Sequence, residues 1–319
     1  MSVVASASAS LALVKYWGKL RTGVNLPATP SLAISLDGLR TTTRIASETE
    51  GAAGDTVRIN GTACPAQRFE PMIDRFRRRG GSTSRVTVES TNTFPTAAGL
   101  ASSSSGFAAL AIGLDAFYGT HLSRHELSRE ARQGSGSACR SVYGGFTAWE
   151  TAADHAEQIH TADHWPQLRL LIVVLTRTAK PVSSREGMNA TAGTSPVYRS
   201  WCRESQGIYE RARTALDRRD LQALGTAMRE SYLFMFSTMF TSRPPLIYWL
   251  PESLALIREA EDMRRGGIPV WETMDAGPQV KLLTTHDQVE AVRSRILSAV
   301  PQASVLVSSV GGEPEVRDG

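Results

Sequence analysis

Polar and apolar positions alternate over residues 40–47 (RTTTRIAS), 55–62 (DTVRINGT) and 84–91 (SRVTVEST), with β-branched side chains among them. A period of two with that composition predicts half-buried antiparallel strands joined by glycine-containing turns. The opening MSVVASASASLALV is small and apolar but broken by serines, and it lacks a basic leader. It reads as a strand of the mature fold rather than an export signal. From 104 to 118 the apolar spacing becomes helical. A second helix is expected over 124–132, because Ser123 precedes it and Glu126 follows three residues on, the spacing of a reciprocal cap. LRLLIVVLT at 168–176 is apolar throughout, as in a strand buried on both faces. Residues 195–265 read as helical, broken at Pro244 and Pro245. After Gly266 come a strand-like VWETMDAG, a helix over 287–298 and a last strand, ASVLVSSVGG. Strands fill the first half and helices the middle, which favours an α+β fold over a doubly wound sheet.

Composition narrows this further. The 319 residues are 41% hydrophobic and 21% charged, enough for one large domain or two packed ones. No run of 18 apolar residues occurs, so no membrane span is expected. Cys64, Cys139 and Cys202 are odd in number and lack metal-ligand spacing, which suits a reducing, cytoplasmic compartment. The net charge is +4. The one dense basic run, Arg75 and Arg77 to Arg79, is followed by Gly80 and Gly81 and reads as a helix C-terminus. No aromatics interleave it, so no nucleic-acid partner is expected. A mildly basic chain does suit an anionic substrate. The absence of HExxH, paired CxxC, Rossmann GxGxxG and GxSxG patterns, with the histidines scattered, argues against zinc chemistry and nucleophilic hydrolysis.

Four stretches carry candidate chemistry. In PTAAGLASSSS, a helix begins among small residues and hydroxyls. Unpaired N–H groups and the helix dipole there attract phosphate, and serine hydroxyls add donors or a metal ligand. No Gly-Lys-Ser/Thr follows, so this is not the common phosphate loop, and the alternative use of the serines is to cap and pack the helix. GSGSACR places Ser135, Ser137 and Arg140 together with two flexible glycines, the arginine either offering a planar fork for carboxylate or phosphate or standing on a surface turn. In ETMDAGPQVKLL, Asp275 stands before a Gly-Pro turn, either held at a site or simply capping the turn. LVKYWGK places Lys15 and Lys19 around Tyr16 and Trp17; an extended strand would put both lysines on one face, as substrate contacts or as edge protection.

Taken together, these segments resemble the mevalonate diphosphate decarboxylase family of the GHMP kinase superfamily. The resemblance runs in order from KYWGK through NLPATPSLAISL, NTFPTAAGLASSSSGFAALA, GSGSACRSVYGGFTAWE, SSREGMNATAGTSP and PPLIYW to TMDAGPQVKLL. It implies a GHMP-kinase-like, two-lobed α+β fold, with an N-terminal lobe (1–180) like the second domain of ribosomal protein S5. The C-terminal lobe (181–319) would be ferredoxin-like, with the active site in the cleft between them. It further implies ATP and Mg²⁺, a homodimer, and a small-molecule substrate bearing a tertiary alcohol, a carboxylate and a diphosphate. The family reaction phosphorylates the 3-hydroxyl and then expels phosphate and CO₂ to give isopentenyl diphosphate.

The same resemblance assigns roles. Asp275 would accept or orient the hydroxyl proton, Lys15 would lie beside it, and Arg140 would grip the substrate carboxylate. Ser135 and Ser137 would neighbour the substrate. Tyr16, Lys19 and Ser195 would face the diphosphate. The nucleotide would lie on Pro95, Ala98, Gly99, Leu100, Ala101, Ser102, Ser103 and Ser104, with Ser103 a ligand of Mg²⁺. Two positions depart from the pattern. Ser10 replaces an asparagine that helps bind the carboxylate, losing reach and an amide donor. Phe236 stands where the family carries a histidine. Within the superfamily the rival activities are decarboxylation of mevalonate 5-phosphate and a kinase that stops at the phosphorylated alcohol; a silent binding protein is the rival outside it.

Overall fold

Two sheets carry the fold in the computed structural model, which describes residues 1–21, 24–48, 54–94, 102–178 and 180–319. The larger sheet has eight strands and is built on Ser2–Val14 lying antiparallel to the long strand Ser31–Ser47. The alanines and serines of the first strand have a packing reason. Val3, Ala5 and Ala7 share a core with the helix Ser102–Tyr118, whereas Ala9, Leu11 and Leu13 join a second core with Tyr209, Ala212 and Met228. The pairing register slips between Ser8 and Ser10, where the strand passes from one core to the other. Small side chains let the helix lie close: a Cβ on Gly113 would come within 2.8 Å of Ile45.

The smaller sheet is antiparallel, in the order Trp271–Met274, Val280–Thr285, Leu168–Val174, Ser304–Ser308. Leu168–Val174 is interior, as its continuous apolar run predicts. Leu170, Ile172 and Val174 feed one core, and Leu171 and Val173 the other. The basic run closes the helix Glu70–Arg79, with Gly80 as its C-cap. Arg77 is buried there and paired with Asp55 at 2.5 Å, which leaves the bland reading of that run in place.

Two expectations need correction. Thr56–Ile59 pairs parallel, not antiparallel, with Val86–Asn92. The helix Glu70–Arg79 lies between them in sequence, and a crossover helix is what parallel neighbours require. The chain changes sheets between Glu157–His160 and Leu168–Val174, and it returns to the larger sheet at Glu315–Asp318, which pairs with the first strand. Finally, helix begins earlier than 195. Ser184–Thr194 is a helix with a complete capping box from Ser183 and Glu186, ahead of Tyr198–Asp217, Leu221–Phe240 and Pro251–Arg265. Among the described residues, no helix is long and apolar enough to cross a membrane.

Candidate active site

The first strand ends at Val14, and the next residues leave the sheet. Gly18, at φ +117°, lets the chain turn back toward the short strand Lys19–Arg21; a side chain there would also collide with Tyr198. Trp17 donates its indole N–H to Thr191 Oγ1 at 2.9 Å, while its carbonyl accepts from Trp201 Nε1 at 2.9 Å. The Lys15 amide donates to Ser231 Oγ. This turn is therefore fastened to three helices of the second half. Lys15 and Lys19 do not share one strand face as expected: Lys15 turns inward and Lys19 opens a separate ribbon. Both still line one cavity of about 1030 Å³.

Asp275 follows directly on the strand Trp271–Met274. Its Oδ1 accepts from Lys15 Nζ at 2.9 Å and its Oδ2 pairs with Lys281 Nζ at 3.1 Å. Lys281 is brought there by β pairing, because it stands opposite Thr273 across the turn. Each lysine side chain is 2% exposed against 31% for the aspartate, so the carboxylate is the most open of the three to the cavity, with Lys15 behind it in the wall. Burial by itself would raise the Asp275 carboxyl, but the two facing ammoniums hold it well below the usual carboxylate range. Burial pushes the Lys15 ammonium down to about 8, with Asp275 pulling against it. Lys180 reaches the same wall, donating to Ala276 O at 2.8 Å and Ser184 Oγ at 2.7 Å, and burial also lowers it to about 8.

Across the cavity, Gly136–Cys139 forms a tight turn that delivers Arg140. Its Nη1 donates to Ser31 Oγ at 2.6 Å, while its buried Nε has no partner. The buried Tyr16 hydroxyl also lacks one, and both residues line the cavity. Unsatisfied donors this deep cost free energy unless a ligand meets them. Gly136 keeps the wall thin, since a Cβ there would lie 2.7 Å from Tyr16 Oη. Ser10 lies in the wall at 4% exposure and accepts from Ser141 Oγ at 3.2 Å. Ser102 and Ser103, from the first turn of their helix, line the cavity beside Ser135 and Ser137, with Ser103 Oγ 3.3 Å from Ser135 Oγ.

The structure thus brings Ser10, Lys15, Tyr16, Lys19, Ser102, Ser103, Ser135, Ser137, Arg140 and Asp275 to one cleft. It does not bring all the expected residues. Ser104 is fully buried and turned away, because successive helical residues step by about 100°. Ser195 caps the end of Ser184–Thr194 and bonds Thr241 Oγ1 at 2.8 Å outside the cleft. Pro95, Ala98, Gly99, Leu100 and Ala101 lie outside the described residues. Phe236 packs against Trp249 and Phe240 with no exposure, so its departure from the family pattern is a matter of core packing. Sequence reasoning missed Lys180, Lys281, Ser184 and Arg185. The capping box at Ser183 was a visible signal for the last two; Lys281 shows only as a lysine inside an apolar strand.

The first half, residues 7–160, matches a family model described as diphosphomevalonate decarboxylase-like N-terminal domain, and residues 170–317 match the mevalonate 5-diphosphate decarboxylase C-terminal domain. Among curated proteins, the diphosphomevalonate decarboxylase of Aspergillus fumigatus is 35% identical, covering 91% of this chain and 78% of that protein. The human diphosphomevalonate decarboxylase is 33% identical, covering 95% and 82%. Of solved structures, mevalonate diphosphate decarboxylase from Staphylococcus aureus superposes with a TM-score of 0.93 at 32% identity, covering 99% and 98%. Another, 34% identical with a TM-score of 0.92 over 100% of this chain and 99% of that one, was solved with MVAPP, AMPPCP and magnesium.

Proposed function

The chain belongs to the diphosphomevalonate decarboxylase family, and we propose that it converts mevalonate 5-diphosphate and ATP to isopentenyl diphosphate, ADP, phosphate and CO₂. The observation that carries this reading is one cleft in which Asp275 between two ammoniums faces the same space as buried Arg140 and the serine-lined helix start.

A tertiary hydroxyl is a weak nucleophile and a poor leaving group, so it must be phosphorylated before the C–O bond can break. Asp275 accepts a hydrogen bond from that hydroxyl and aims its oxygen at the phosphorus. Held well below the ordinary carboxylate range, it is a weak base. Phosphoryl transfer through a loose transition state asks mainly for position, and the proton leaves late. Lys15 and Lys281 keep the carboxylate ionised. Arg140 takes the substrate carboxylate with the unpartnered part of its fork, and its neutral counterpart Ser31 leaves that charge unspent. A carboxylate fixed opposite the departing phosphate lets its bonding pair flow into the new alkene as both groups leave. Lys19, Tyr16, Ser184 and the exposed Arg185 supply donors for the diphosphate.

The donor set fits a polyphosphate: hydroxyls and helix N–H groups on one wall, ammoniums and guanidiniums on the other. Mg²⁺ bound with ATP would neutralise the phosphate oxygens, and Ser103 presents a hydroxyl oxygen of the kind that ion takes. Cytosolic residence belongs to the same reading, because Cys64, Cys139 and Cys202 are all free thiols. The homodimer rests on the family alone. The test is a product balance with mevalonate 5-diphosphate as substrate. Isopentenyl diphosphate and CO₂ are expected only with ATP and Mg²⁺ present. ADP formation with no alkene would point to a kinase and defeat the proposal.

A further inference from the structure

Outside the cleft, His125, His155 and Glu157 bring their ligand atoms within 4.8 Å of one another. His125 comes from the first turn of the helix Arg124–Gly134. The other two come from the entry to the strand Glu157–His160, which among the described residues pairs only with Phe146–Trp149. The cluster therefore joins a helix start to a sheet edge.

The imidazole of His155 is already set for a ligand. Its Nδ1 lies 2.7 Å from Asp154 Oδ1, and an ionised carboxylate only accepts, so Nδ1 carries the hydrogen. In the neutral ring, Nε2 then holds its lone pair free. Asp154 is steadied in turn by Arg129 Nε at 2.7 Å. Glu157 Oε1 lies 3.8 Å from His155 Nε2, too far for a hydrogen bond. The His125 ring lies alongside, with centroids 4.7 Å apart. Two imidazoles and a carboxylate, with a second carboxylate behind one imidazole, are the donors and the backing that zinc-class ions take. Zinc bonds of about 2.0–2.1 Å in a tetrahedron put ligand atoms about 3.3 Å apart, a closure within the swing of the exposed His125 and Glu157 side chains. Mg²⁺ prefers oxygen ligands alone, so this donor set separates the two metals.

We propose that His125, His155 and Glu157 bind one zinc-class divalent transition-metal ion, with Asp154 positioning His155 and water completing the shell. The ion would pin the helix to the edge strand. The helix runs on from there to Gly134 in the cleft wall, about 13 Å along its axis, so the site stands apart from the reacting groups.

The test is calorimetric titration of the metal-stripped full chain with ZnCl₂ in the presence of excess Mg²⁺. One Zn²⁺ per chain is expected for the wild type and none for His125→Ala/His155→Ala, with a zinc-dependent rise in Tm that the double variant lacks. Asp154→Asn should weaken zinc binding 10- to 100-fold, with part of that recovered in Asp154→Glu. Circular dichroism and melting without zinc establish that the variants are folded; should the double variant fail that check, His155→Gln alone takes its place. Undiminished zinc stoichiometry in the folded variant, or a wild type that takes up no zinc, would overturn the assignment.

Discussion

Asp275 sits between Lys15 and Lys281, and that placement decides what kind of proton acceptor it is in the proposed reaction. A carboxylate so stabilised gives up basicity and keeps direction, so its removal should cost rate more than binding. Asp275→Asn is expected to lower kcat about 10³-fold, the range of a positioned acid–base group, with ADP affinity changed only a few-fold. Turnover above a tenth of wild type would remove Asp275 from its role. In the proposed reaction Arg140 acts on the other half. In Arg140→Ala, phosphoryl transfer should outlast decarboxylation, so the ratio of CO₂ to ADP falls below one; equal loss of both products would contradict that division. The lysines make a pH signature. Lys15 and Lys180 are both brought down to about 8 by burial, below the ordinary lysine value of 10.5. Their charged forms are therefore complete only well below 8 and are lost as pH rises through it. The kcat/KM profile should fall on its basic side near 8, and a profile flat to pH 9.5 would show that neither ammonium is needed.

At the scale of elements, the helix Ser184–Thr194 matters most for the cleft, because Ser184, Arg185 and Met188 all line it. Its start is set by Ser183 Oγ, which accepts from the Glu186 amide at 3.2 Å, while Glu186 Oε2 accepts from the Ser183 amide at 2.9 Å. Ser183→Ala should cost about 1 kcal/mol of helix stability and raise KM more than it lowers kcat. An unchanged KM would separate this helix from substrate binding. Alternation made the strands legible, and the S-x-x-E spacing marks helix starts at Ser123 and Ser183 alike. What alternation does not encode is partner direction, and so the parallel pairing of Thr56–Ile59 was invisible. Nor did it show that Lys15 leaves its strand, which follows from Gly18 and the tethers at Trp17.

The whole molecule closes its ends together. Val3 pairs with Asp318 and Ser6 with Glu315, so the terminal strand covers an edge of the first one. Removing residues 313–319 should lower Tm by several degrees and expose that edge to self-association, measurable by light scattering. Unchanged melting would show the strand to be dispensable. At this scale most of the site lay beyond local reading. Lys15 and Asp275 stand 260 residues apart in sequence, and ETMDAGP alone reads as a turn cap. Family-wide order of motifs supplied the link; tertiary contact supplied Lys180, Lys281 and Ser184. The most direct test of the proposed reaction is ADP and CO₂ release followed together, with mevalonate 5-diphosphate and mevalonate 5-phosphate side by side. One CO₂ per ADP is expected from the diphosphate, with at least a hundredfold lower kcat/KM for the monophosphate, on the order of the 2.7 kcal/mol that such a ratio represents. Preference for the monophosphate, or ADP without CO₂, would contradict it.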